Sequence, residues 1–362
     1  MPATPPLLWD VFCRVVDNFG DVGVCWRLAC NLAGRGQRVR LWVDDPAALR
    51  WMAPDGHAGV EVATWAPATK FPAPGDVVVE AFGCDPEPAF LAAMAERAPV
   101  WINLEYLSAE PYVERSHRLS SPQMSGPAQG LVKWFFYPGF TPATGGLLRE
   151  PELGHERSRF DRDAWLAAHD LALRPDERLV SLFCYPGAPV ERLLAALRDD
   201  GRPTLLATAP GAATGAVRAH LAGLGDAAPV RQRALPWLTQ SGYDRLLWAA
   251  DLNFVRGEDS WVRAHWAGRP FVWQAYPQDD GAHGAKIAAF LDLALAGDPP
   301  GAAPLRRWSA AWNGLDDGAV ALPTWTPDQL DATGAALLAW RDRLGAQPDL
   351  ASQLLAFALE KR

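Results

Sequence analysis

Short apolar runs and helical repeats alternate along almost the whole chain. Leu7 to Val16 is a nearly continuous apolar run, of the kind found in a strand covered on both faces. It leads into Asp17-Asn18-Phe19-Gly20-Asp21-Val22-Gly23. Beyond that turn Cys25, Leu28, Ala29 and Leu32 recur at helical spacing, and Gly34 and Gly36 close the helix. The same period predicts strands at 38–43, 60–65, 76–82 and 100–104, with helices at 46–52 and 90–97. From Pro111 to Glu156 the pattern weakens into a Pro- and Gly-rich passage. Its aromatic run, Lys133-Trp134-Phe135-Phe136-Tyr137, reads as the last strand of this first set, and Leu153 to Ser158 as a surface connection.

A second set follows. Helices are expected at 164–173, 190–197, 216–224, up to Trp248, at 261–267 and from about Gly284. Strands are expected at 179–183, 204–208, 252–255 and 271–274. A Pro-rich passage after Asp316 gives way to a helix over 328–344, and 351–358 is an amphipathic helix expected to pack back on the first domain. Repeated β/α units of this length make doubly wound α/β domains. Residues 1–160 are thus read as one Rossmann-like domain, 161–345 as a second, and 346–362 as a terminal helix.

Composition narrows the function. A chain of 362 residues with 49% hydrophobic residues has core enough for two domains. The net charge of −8, without a basic stripe interleaved with aromatics, argues against nucleic acid as a partner. The first residues lack the layout of a signal peptide, and no apolar run reaches the roughly 20 residues of a membrane helix, so a cytoplasmic protein away from the membrane is expected. Five cysteines, Cys13, Cys25, Cys30, Cys84 and Cys184, are scattered without a Cys-x-x-Cys pair and read as buried small hydrophobes. Asp161-Arg162-Asp163 is formally an Asp-x-Asp metal motif, but it opens a helix, where acidic residues serve as caps.

Candidate chemistry gathers in polar turns after strands. Arg256-Gly257-Glu258-Asp259-Ser260 follows one strand and opens a helix; Tyr276 to His283 does the same at the next strand. In open parallel sheets ligands bind outside the carboxyl ends of the strands, and a helix N-terminus suits a phosphate. Arg256 offers a fork of donors, Ser260 a hydroxyl, and Glu258 and Asp259 acceptors for sugar hydroxyls; the competing reading is an ordinary capped helix. The loop after the first strand matches neither a dinucleotide fingerprint nor a Walker loop. Its two carboxylates, Asp17 and Asp21, either cap the helix and meet solvent or flank a reacting group. Glu105 and Glu110, just past another strand, read as structural or solvated. Trp237 and Tyr243 suit stacking on a flat base whose edge Gln240 reads, against the competing reading that aromatics in a chain with 17 tryptophans are core.

Two α/β domains, one with a phosphate site and one with an acidic loop, suggest a glycosyltransferase of the GT-B architecture, two Rossmann-like domains facing across a cleft. Asp17 to Ala29, Asn103 to Glu110, Arg256 to Ser260 and Tyr276-Pro277-Gln278 resemble, in that order, the bacterial protein-arginine rhamnosyltransferases that modify elongation factor P. The similarity spans essentially the whole chain and departs at Asp279-Asp280-Gly281, where at least one Glu is expected. The resemblance implies transfer of rhamnose from dTDP-β-L-rhamnose to an arginine of elongation factor P, with inversion and without a metal or other cofactor. It implies Asp17, Asp21 and Glu258 as the required acids, with Asn18, Phe19 and Gly20 on the acceptor-side loop. Arg256, Asp259, Ser260, Tyr276 and Gln278 would hold the diphosphate and sugar, and Phe183, Tyr185, Trp237, Gln240 and Tyr243 the thymidine half. Two alternatives stand beside it: a glycosyltransferase with a non-protein acceptor, and a non-catalytic protein that binds a nucleotide or a translation factor.

Overall fold

The first apolar run becomes an interior strand of a sheet, β1 (Leu8–Cys13), buried along almost its whole length. Around it lie β2 (Arg38–Val43), β3 (Val60–Thr64), β4 (Val77–Ala81), β5 (Val100–Leu104), β6 (Ser120–Pro122) and β7 (Val132–Phe136), in the order β3-β2-β1-β4-β5-β7-β6. All neighbours are parallel except β6, which runs antiparallel to β7. The computed structural model describes residues 6–17, 19–66, 69–222, 229–278, 281–318 and 321–362; Asn18, Asp279 and Asp280 lie outside them. The strand β1 stops three residues short of Val16, because the N–H groups beyond it leave the ladder: Val15 donates to Asp44 Oδ1 at 2.9 Å and Val16 to Asp21 Oδ2 at 2.8 Å. The edge strand β6, a Ser-Ser-Pro segment, has no apolar alternation that a sequence reading can detect.

Two polar side chains inside this sheet are fully partnered. Asp10, 0% exposed, accepts two bonds from Arg40 at 2.7 Å, one from Trp42 Nε1 at 2.8 Å and one from the Gly75 N–H at 2.7 Å. Glu80 is held by Lys133 at 2.5 Å and Trp101 Nε1 at 3.2 Å. Buried charges persist only where such partners replace water.

The helix Gly20–Gly34 is buried on nearly every side. One face lies on the sheet, and the C-terminal helix Leu350–Lys361 packs against it. Arg35 reaches Asp349 Oδ2 at 2.9 Å, and Phe357, 1% exposed, meets Trp134 and Phe136 of β7 with ring centroids at 5.6 Å. Burying one such ring stabilises by about 1.5–3 kcal/mol. The aromatic run of β7 is thus the platform for the chain's end.

A second parallel sheet contains β8 (Arg178–Leu182), β9 (Thr204–Thr208), β10 (Val230–Ala234), β11 (Leu252–Arg256) and β12 (Phe271–Gln274), in the order β10-β9-β8-β11-β12. The edge strand β10, Val-Arg-Gln-Arg-Ala, is mostly polar and was not expected from the sequence; nor were the helices Tyr112–Ser116 and Ala302–Trp312. The chain divides into a unit of Met1–Pro151 with Leu344–Arg362 and a unit of Glu152–Arg343. The first division lies before residue 160 because Leu153–Ser158, read above as a surface connection, is a helix of the second unit. The second falls inside the helix Pro327–Gly345. No helix among the described residues is long and apolar enough to cross a membrane.

Among their parallel strands both sheets reverse strand order once, between β1 and β4 and between β8 and β11. At such a reversal the loops leave in opposite directions and open a crevice at the carboxyl ends of the strands. The acidic loop follows β1, and the Arg256 turn follows β11.

Candidate active site

In the first unit the loop after β1 is folded around one carboxylate. Asp21 sits in the first turn of its helix, 3% exposed, and its Oδ2 accepts both the Val16 and the Asp17 N–H at 2.8 Å. It binds backward into the loop and is not the helix cap; the cap position is Phe19, without a side-chain bond. Oδ1 faces the Tyr106 hydroxyl at 3.4 Å. Burial raises the Asp21 pKa above its ordinary 3.8, the two backbone donors oppose that rise, and the charge of Asp17 adds to it. Asp17 is half-buried, and its carboxylate lies over Gly20, where an added Cβ would stand 3.1 Å from Oδ2. Phe19 is set edge-on to Trp51 at 5.3 Å.

Two residues that the sequence reading assigned no role join this loop. Tyr106 follows β5, and its ring stacks on Phe82, which follows β4, at 4.2 Å and 11°. Phe82 has φ 58°, a left-handed conformation that costs a non-glycine residue on the order of 1–3 kcal/mol. It is held by its N–H on the Leu104 carbonyl at 2.7 Å. Glu105 accepts from Asn103 Nδ2 at 2.7 Å, while Asn103 Oδ1 accepts the Gly83 N–H at 3.1 Å. Glu110 accepts from the Ser108 hydroxyl at 3.0 Å. Glu105 and Glu110 therefore brace the neighbouring loops. The signal for Tyr106 was its place just after a strand next but one to β1.

In the second unit Arg256 ends β11 and is clamped between two rings: its guanidinium carbon lies 4.2 Å from the Phe183 centroid and 4.4 Å from that of Tyr185. Nη1 also donates to the Cys184 carbonyl at 3.3 Å. Such a clamp fixes the orientation of a planar cation. Gly257 turns the chain with φ 65°, and Glu258 stands half-buried at the helix cap position without a side-chain cap bond. The Ser260 hydroxyl donates to the Arg256 carbonyl and accepts the Arg256 N–H at 3.2 Å, so it braces the turn from both sides.

The remaining residues of this candidate site surround the turn. Gln240 opens the helix Gln240–Ala249, capped by Thr239, and its Nε2 lies 3.4 Å from Asp259 Oδ2. Arg263 and Asp244, both buried, tie that helix to Asp259–Ala267 with bonds of 2.9 and 2.8 Å. Tyr243 meets Phe183 edge-on at 5.9 Å, and Tyr185 meets Tyr276 at 5.5 Å. Burial raises the phenol of Tyr243 and pushes the Cys184 thiol up to about 12, so that thiol stays protonated. Trp237 is the one exposed tryptophan among the described residues, at 43%; Tyr276 is exposed at 52%, and Gln278 is also exposed. The tryptophans at large do form core, as Trp261 stacked on Trp273 at 3.6 Å does, which sets Trp237 apart.

Among the described residues no group of three or more His, Cys, Asp or Glu side chains is placed to hold a metal ion. Asp161 is a helix cap, accepting the Ala164 N–H at 3.0 Å. Asp161→Ala should cost about 1 kcal/mol and lower the melting temperature by about 2–4 °C, with transfer activity unchanged. A melting curve and a rate in parallel check this; lost activity at an unchanged melting temperature would place Asp161 in the chemistry.

Comparison with known proteins agrees over the full length. The family described as elongation factor P (EF-P) rhamnosyltransferase EarP matches residues 9–359. A protein-arginine rhamnosyltransferase of Pseudomonas aeruginosa is 42% identical over 383 residues, covering 96% of this chain and 98% of the relative. One of Neisseria meningitidis serogroup B is 36% identical, covering 98% and 97%. A solved structure concerned with EarP-mediated arginine glycosylation of translation elongation factor EF-P superposes with a TM-score of 0.68 at 30% identity, covering 98% of this chain and all of that one. The spinosyn rhamnosyltransferase SpnG, at 15% identity and a TM-score of 0.52, shares the GT-B fold.

Proposed function

This chain belongs to the EF-P rhamnosyltransferase family and is a protein-arginine rhamnosyltransferase, and from that premise we propose that it transfers L-rhamnose from dTDP-β-L-rhamnose to an arginine of elongation factor P, with inversion and without a metal. A translation factor as acceptor implies action in the cytoplasm. The observation that carries the donor half is the ring-clamped Arg256 at the strand-order reversal of the second sheet. The acceptor half rests on the paired carboxylates at the reversal of the first. Family membership makes the protein an enzyme, which sets aside the non-catalytic alternative.

The chemistry fits these groups. A guanidinium has no free lone pair and a pKa above about 12, so it attacks only when a base takes its proton as the new bond forms. Asp17 and Asp21, as anions, bind and orient it, and one of them accepts that proton while the nitrogen bonds to the anomeric carbon. The bond from that carbon to the diphosphate breaks, and its electron pair leaves with the phosphate oxygen. Arg256 stabilises the charge gained there. Phe183, Tyr185, Trp237, Gln240 and Tyr243 take the thymidine half, Asp259, Ser260, Tyr276 and Gln278 the diphosphate and sugar, and Glu258 is the third required acid. Asn18, Phe19 and Gly20 are assigned to the acceptor side.

The test is the intact mass of elongation factor P after incubation with the enzyme, dTDP-β-L-rhamnose and EDTA. A gain of one deoxyhexose, mapped to an arginine, is expected. No gain while dTDP-rhamnose still binds would point to another acceptor, and a gain that EDTA abolishes would bring a metal into the mechanism.

A further inference from the structure

Gln274, the last residue of β12, carries a buried amide that the reading above leaves unused. The residue is 5% exposed and closes an otherwise apolar strand. Its backbone pairs with Arg256, and its carbonyl accepts the Gly257 N–H at 3.1 Å. Its side-chain Oε1 accepts the backbone N–H of Tyr185 at 2.8 Å. Tyr185 follows β8, and β11 lies between β8 and β12. The side chain therefore crosses the end of β11 at the Arg256 turn. An N–H donor on Tyr185 fixes which end of the amide is oxygen. The nitrogen, with two N–H donors, makes no hydrogen bond to the described residues and is not among the side-chain atoms shut off from solvent. An amide whose oxygen is tied into the protein while its nitrogen still reaches solvent can turn its donors to a ligand that accepts.

We propose that Gln274 is a donor-site residue with two tasks, resting on the donor reading above. Its oxygen fixes Tyr185, one wall of the Arg256 clamp, and its nitrogen donates to a phosphate oxygen of the nucleoside diphosphate. Gln274→Glu separates the tasks: it keeps an oxygen for Tyr185 and replaces the donors with an anion that repels phosphate.

The experiment is calorimetric titration of the full-length wild type and variant with dTDP and with thymidine. The expected result is a dTDP affinity at least tenfold weaker in Gln274→Glu, with thymidine affinity unchanged within twofold. Unchanged dTDP affinity overturns the proposal, and equal weakening of both ligands overturns the phosphate contact. A wild type that binds neither ligand defeats the donor reading itself, which is a distinguishable failure. A second measurement needs no active variant: the side-chain amide resonance of Gln274 in the wild type, assigned by its loss in Gln274→Met, should shift when dTDP is added. A resonance that stays in place overturns the contact.

Discussion

Asp21→Asn is expected to reduce transfer by about 10³-fold, within the range for loss of a general base, while leaving the protein at least as stable as the wild type near neutral pH. Both backbone donors of the loop bind the same carboxylate oxygen, so the oxygen of asparagine can keep them. What is lost is the charge and the capacity to take a proton. Burial raises the pKa of Asp21, so its ionised form is penalised in the folded state. The stability contributed by the neutral form is complete below the ordinary value of 3.8 and is lost as pH rises through the higher native value. The wild type at neutral pH lies on the unfavourable side, and the variant does not. The same shift places the acid limb of the kcat/KM profile above 3.8, since activity needs the anion. Rates across pH, with melting curves at pH 7, check all three points. Asp17→Asn should also abolish transfer, and normal turnover in both variants would remove the carboxylate pair from the mechanism.

Arg256→Ala should weaken dTDP binding by about a hundredfold, the loss of two or so charge-assisted hydrogen bonds worth about 3 kcal/mol together. Arg256→Lys should recover little of it. Lysine keeps the charge but loses the planar face that fits between Phe183 and Tyr185, and the fork that matches two phosphate oxygens. Titration with dTDP and thymidine distinguishes a phosphate contact from a collapsed site, because thymidine should bind both variants nearly as well as the wild type. An unchanged dTDP affinity would take Arg256 out of the diphosphate site.

Much of the fold is legible because strands buried on both faces leave apolar runs broken by a single carboxylate at most, as at Leu8–Cys13 and Val77–Ala81. Two of the edge strands leave no such trace: β6 and β10 are short or polar, and only their partners define them. The positions of Asp21 and Arg256 follow from strand, turn and helix order alone. Their surroundings do not. That Phe183 and Tyr185 enclose Arg256, or that Tyr106 reaches Asp21, depends on β8 lying beside β11 and on β4 alone separating β1 from β5. Neither adjacency is written in local spacing. Ser260 marks the same limit. That its hydroxyl bonds both the N–H and the carbonyl of Arg256 cannot be read from spacing.

The proposed reaction is a single displacement at the anomeric carbon by an arginine nitrogen, with the carboxylates as its base. The most direct test is the anomeric configuration of the product, read from the one-bond carbon–hydrogen coupling of the rhamnosyl-arginine by NMR after transfer from dTDP-β-L-rhamnose. An α-linked rhamnose is the predicted result, and a β-linked one would contradict the account, because retention requires a second displacement that these residues are not assigned to perform.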